Sequence, residues 1–125
     1  MRKIINTLNA PEPLGPYSQA ILVDQTLYVS GQIAIEPSSK QLINSDIKSE
    51  TTQVIKNMTA IIEEAGLSLS NVVKCSIFIK EMNDFTKINH VYEQYFNEVQ
   101  PARETVEVSR LPKDVNIEIS CIAVK

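Results

Sequence analysis

VVKCSIFIK, residues 72 to 80, is the stretch that decides how this chain folds. It is rich in β-branched and aromatic residues, and its apolar positions alternate: Val73, Cys75, Ile77 and Ile79 point one way in an extended strand. Val72 and Phe78 fall on the opposite parity, so neither side of this strand reads as freely solvated. Such a strand belongs inside a sheet with cover on both faces.

Beyond Lys80 the apolar period lengthens to that of a helix. Phe85, Ile88, Tyr92, Tyr95 and Phe96 share one face of a helix expected from about Asp84 to Glu98, capped by Asn83 or Asp84. Core packing explains this aromatic stripe without a cofactor. Two strands follow, Thr105 to Ser109 and Val115 to Val124, linked by a turn at LPKD through Pro112. In the last strand Ile122 and Val124 oppose Ile117 and Ile119. Upstream, Val54, Ile55, Met58, Ile61, Ile62 and Ala65 make a stripe on a helix from Ile47 to Ala65. Asp46 is its N-cap, and Gly66 suits a left-handed stop. Earlier still, Tyr17 to Val23 and Thr26 to Ser30 read as a hairpin turning at Asp24-Gln25. The order is strands, helix, strand, helix, two strands. It predicts an α+β fold with two helices packed on one face of a mixed sheet. Neither repeat nor linker interrupts it, so residues 1–125 read as a single domain. The second face of the sheet needs cover too, and another subunit is the expected one.

A chain of 125 residues suits one core. Its 43% apolar and 22% charged residues place it among soluble globular proteins. The net charge is −3 and no lysine or arginine run appears, which disfavours nucleic acid as a partner. The start, MRKIINTLNAPEP, lacks the apolar stretch of a secretory signal. No run approaches the roughly 20 apolar residues that span a bilayer. Cys75 and Cys121 are far apart, form no CxxC motif, and sit in apolar strands. Buried free thiols in a cytoplasmic protein without a metal site are the expectation.

Candidates for chemistry are few. Arg103, in QPARETVEV (residues 100 to 108), shares a strand face with Thr105 and Glu107. Glu118 shares one with Asn116, Ser120 and Ile122. If the two strands pair, Arg103 and Glu118 could meet. Spacing alone is satisfied by a structural ion pair or by two solvated edge residues. The functional alternative is an arginine fork that holds a carboxylate, with a glutamate that steers a water as general base. That pair suits a small 2-oxo or 2-imino acid. In GPYSQA (15 to 20) the Tyr17 hydroxyl could reach a ligand. In VSGQI (29 to 33) Gly31 could bare an amide and Ser30 could bond a carboxylate. A turn or bulge explains each equally well. His90, the only histidine, lies off the apolar stripe and is expected to be solvated. Triad chemistry and phosphate-binding loops find no support.

GPYSQA, VSGQI, EAGLSLSNVVK, MNDF, PAR and VEVSRLPKDVNIEI, in this order, resemble the reactive intermediate deaminase family (Rid, YjgF-type), and most closely its RidA branch. The resemblance spans nearly the whole chain. It implies a chorismate-mutase-like fold, a homotrimer with three clefts between subunits, and hydrolysis of 2-imino acids to 2-oxo acids and ammonia. The substrates would be species such as 2-iminopropanoate and 2-iminobutanoate, released by pyridoxal-phosphate-dependent dehydratases. The deaminase itself would use no cofactor. Arg103 would hold the substrate carboxylate, the Gly31 amide, Ser30 and Tyr17 would line the cleft, Asn89 matches a position close to it, and Glu118 would orient the water.

Two departures bear on substrate choice. Thr105 stands where some members carry cysteine, so thiol chemistry is not expected there. Gln100 stands where many carry an aromatic residue, at the end of a segment (NEVQ, residues 97 to 100) that looks shortened. Three rival functions are also carried: an RNA-directed translation inhibitor or endoribonuclease, a 2-oxo-acid-binding or holdase module without chemistry, and, at the level of fold alone, a chorismate mutase.

Overall fold

A computed structural model describes residues 1–125. The strands are β1 (Arg2–Ile5), β2 (Ala20–Val23), β3 (Thr26–Gln32), β4 (Val72–Ile79), β5 (Ala102–Glu107) and β6 (Ile117–Val124); the helices are α1 (Ile47–Glu64) and α2 (Phe85–Tyr95). They form one sheet in the order β1-β2-β3-β6-β4-β5. Only β4 and β5 run parallel, with α2 as the crossover between them. Both helices pack on one face, as expected, over a core that includes Val54, Ile55, Met58, Ile61, Ile88, Ile77 and Ile119. No helix is long and apolar enough to cross a membrane.

Local signals explain most boundaries. Asp46 accepts the Ser49 N–H at 2.8 Å and caps α1, and Gly66 leaves it with φ 81°. The β2–β3 hairpin turns at Asp24-Gln25, with Asp24 at φ 53°. Other boundaries differ from expectation. β1 is an edge strand whose only buried residue is Ile5, so its sequence carries no alternation to read. Tyr17 to Gln19 lie outside β2. Instead the buried Gln19 side chain accepts from Thr7 N–H at 2.7 Å and donates to the Thr7 and Pro11 carbonyls, bracing the loop before it. α2 stops at Tyr95, β5 starts early enough to include Arg103, and β6 starts at Ile117 because Lys113 and Asp114 both turn through positive φ.

One register change corrects the reading of β4. Val72 pairs with Ala123 and Lys74 with Ile122, so Val73 is an extra residue in a β-bulge. Val72 therefore joins Cys75, Ile77 and Ile79 in the core, while Val73 is 47% exposed. Cys75 and Cys121 sit directly opposite each other in this register. Both are buried free thiols, and burial pushes both thiols up from the ordinary range.

The second face is partly covered by the chain itself. Ile33, Ile35, Leu111 and Val115 pack with Phe78, Val108 and Leu42 over one end of it. Tyr28 and Val106 remain 50% and 40% exposed. Asn57 of α1 ties the 33–35 segment down: its amide donates to the Ile33 and Ile35 carbonyls at 3.0 and 2.8 Å, with the side chain fully buried. Asn57→Ala leaves both carbonyls unsatisfied and opens a cavity, so it is expected to destabilise by about 2–4 kcal/mol. A urea midpoint equal to that of the wild type at the same protein concentration would count against this bracing role.

Candidate active site

The site residues fall on two faces of the sheet. Arg103 pairs in register with Cys75, and Cys75 points into the helix-covered core. Its guanidinium carbon lies 4.8 Å from the centre of the Tyr92 ring and 5.6 Å from that of Phe85. The two rings are seven residues apart on α2, hence on one side of the helix. Stacking on aromatic faces suits a guanidinium and fixes where it points. No carboxylate lies within ion-pair distance of Arg103. Asn89, Gln100 and Pro101 join it in lining a cleft of about 320 Å³ at the β5 edge. Glu93 lines the same cleft but forms no ion pair with Arg103, so the pairing that spacing allowed is not made within the chain. Glu104, on the other face, is engaged elsewhere: it accepts from Ser76 and pairs with Lys74 at 3.0 Å. Those contacts hold its carboxyl below the usual range.

Glu118 pairs in register with Phe78, three residues from Cys75, and so faces away from the helices. β5 and β6 do not pair, because β4 lies between them. The direct meeting of Arg103 and Glu118 on adjacent strands is therefore ruled out in one chain. Glu118 is half-buried and has no hydrogen-bond partner among protein groups. Desolvation raises its carboxyl above the usual glutamate range. It borders a recess of about 50 Å³ with Tyr17, Gly31, Ile33, Ile35 and Pro112. That volume admits a water molecule but not a metabolite.

The neighbouring hydroxyls are already oriented. Tyr17 Oη accepts the Leu14 N–H at 3.1 Å, which leaves its own proton free to donate into the recess. Ser30 differs from expectation. Its Oγ donates to the Ser18 carbonyl at 2.6 Å, so what it offers a ligand is a lone pair, matched to an N–H rather than to a carboxylate. A bulge in β3 at Ser30 and Gly31, between the pairs Val29–Cys121 and Gln32–Ile119, swings this segment towards Glu118.

The structure thus groups Arg103 with Asn89, and Tyr17 and Gly31 with Glu118, with Ser30 beside Gly31; the two groups lie apart. His90 is exposed on the outer side of α2, as expected, and lines a shallow groove with Lys48 and Lys56. Sequence reading missed the aromatic seat of Arg103. Phe85 and Tyr92 fit a core stripe so fully that their second use left no signal.

The Endoribonuclease L-PSP family model matches residues 7–125. A RutC family protein of Pyrococcus horikoshii is 54% identical over 125 residues, covering 100% of this chain and 99% of its own. The human 2-iminobutanoate/2-iminopropanoate deaminase is 45% identical over 125 residues, 100% of this chain and 91% of its own. Among solved structures, that of Escherichia coli TdcF with bound serine has a TM-score of 0.94 at 42% identity, covering 98% of each chain. Sequence and fold agree over the full length, and the chain belongs to the Rid (YjgF-type) family.

Proposed function

We propose that this chain is an imine deaminase of the 2-iminobutanoate/2-iminopropanoate type, one cytoplasmic domain acting as a homotrimer without a cofactor. The observation that carries the reading is a pair of unsatisfied charges: a guanidinium with no carboxylate and a desolvated carboxylate with no donor, on opposite faces of one sheet. A second copy set against the first can bring the Arg103 half of one subunit to the Glu118 half of its neighbour. The exposed Tyr28 and Val106 on the open face give such a contact apolar surface to bury.

In the joined cleft the Arg103 fork, with Asn89 beside it, holds the substrate carboxylate, and the iminium carbon faces the recess under Glu118. Glu118 accepts a proton from water as its oxygen bonds to that carbon, giving a neutral carbinolamine. The same carboxyl then returns the proton to the amine nitrogen. The C–N bond breaks as the hydroxyl lone pair forms the carbonyl, and ammonia takes the hydroxyl proton and leaves as ammonium. Ser30 accepts from the imine N–H, and Tyr17 donates to the oxygen. The iminium carbon is already electrophilic, so placing substrate and water supplies much of the acceleration.

The test is a coupled assay in which a pyridoxal-phosphate-dependent dehydratase turns over threonine or serine while 2-oxo acid formation is followed. The purified chain is expected to raise the rate above that of the dehydratase alone, to elute with three times the chain mass by light scattering, and to leave RNA intact. No acceleration with any of several amino acids overturns the reading.

A further inference from the structure

Gly31 is needed for space, not for backbone freedom. Its φ is not positive; Gly66 is the glycine that adopts the left-handed conformation. A Cβ at Gly31, however, would lie 2.5 Å from Glu118 Oε2, 2.7 Å from Cδ and 3.0 Å from Cγ. Carbon and oxygen atoms do not approach so closely without one moving. All three clashes are with the end of a flexible side chain and none with backbone, so the chain can accept the methyl by releasing the carboxylate. The β3 bulge at Ser30–Gly31 brings this bare stretch of strand under Glu118, beside the water-sized recess.

We propose that Gly31 is a positioning residue: its missing side chain forms the seat that holds the Glu118 carboxylate over the recess. This rests on the reading of Glu118 as the base. An exposed carboxylate still titrates and still accepts protons, but it no longer stands where the water does. The seat therefore acts on turnover and not on substrate anchoring, which belongs to Arg103 on the other face.

A double-mutant cycle in the coupled assay tests this. Gly31→Ala is expected to lower kcat by about 10- to 100-fold, with KM and 2-oxobutanoate affinity changed by less than about 3-fold. In a Glu118→Gln background, whose side chain no longer serves as base, adding Gly31→Ala is expected to change the residual rate by less than about 2-fold. An equal fold-loss in both backgrounds overturns the seat while leaving Glu118 as base. Wild-type turnover in Glu118→Gln alone overturns the base, and the seat with it. A melting-temperature cycle covers poor folding of the single variant. Gly31→Ala is expected to lower Tm, and Glu118→Ala in the same chain is expected to restore it, since the methyl then meets nothing. Failure of that rescue also overturns the proposal.

Discussion

Replacing Arg103 with alanine is expected to return 2-oxo acid formation to the spontaneous rate while leaving fold and assembly intact. The effect is large because two charge-assisted hydrogen bonds to the substrate carboxylate are lost together. At about 1.5–2 kcal/mol each, they account for roughly 10²- to 10³-fold in kcat/KM. The structural cost is small. Arg103 makes no ion pair, and its stacking on Tyr92 and Phe85 contributes about 0.5–1 kcal/mol at a half-exposed site. Arg103→Lys keeps the charge but loses the planar fork, and is expected to fall between wild type and alanine. Binding of 2-oxobutanoate should weaken in step with kcat/KM, since substrate and product share the carboxylate. Full activity in Arg103→Ala would remove the anchor from the site. Loss of activity with unchanged product affinity would move Arg103 from anchoring to some other step.

How much of this was legible in the sequence follows from the physics of each signal. α1 and the order of elements were readable because a buried amphipathic helix repeats its apolar positions several times and is marked at both ends, by Asp46 and Gly66. β1 was not, because an edge strand with one buried residue has no alternation. The β4 bulge was invisible because Val72 and Val73 are the same residue type, and only pairing with β6 decides which one is core. At the site, Arg103, Glu118, Tyr17, Ser30 and Gly31 stood out by residue type and Asn89 only by family resemblance, but spacing could not weigh a structural role against a functional one. Arg103 and Glu118 both lie on alternating strands near the end of the chain, and adjacency along the chain suggested adjacency in space. The crossover through α2 places β5 outside β4, away from β6, and the registers with β4 turn the two side chains to opposite faces. Non-local strand order of this kind leaves no mark in local sequence. It also separates an apparent ion pair into two groups on opposite faces, which changes what each residue must be tested for.

Glu118→Gln is expected to lower kcat by about 10²- to 10⁴-fold, bounded below by spontaneous hydrolysis, while 2-oxobutanoate binds nearly as before. The amide keeps the size of the side chain, so the recess and its contact with Gly31 are preserved and only proton acceptance is lost. Two pH measurements follow from the raised carboxyl of Glu118. The base acts as the carboxylate, so the wild-type rate should fall on the acid side through a pKa above the ordinary glutamate value, and this limb should vanish in the variant. An acid limb that persists in Glu118→Gln would show that it does not come from Glu118. Stability should move the other way. A carboxyl whose folded pKa is raised favours the folded state below the unfolded pKa, and that contribution is lost as pH rises through the folded value. Wild type thus carries a penalty at neutral pH that the neutral amide does not. Glu118→Gln should melt higher than wild type at pH 7–8, with the gap closing towards pH 4. A variant that loses turnover and also melts lower at pH 8 would mean that Glu118 is ionised against a partner in the assembled protein. The most direct source of that partner is the Arg103 of a neighbouring copy, and the double variant Arg103→Ala, Glu118→Gln would then melt no lower than Arg103→Ala alone.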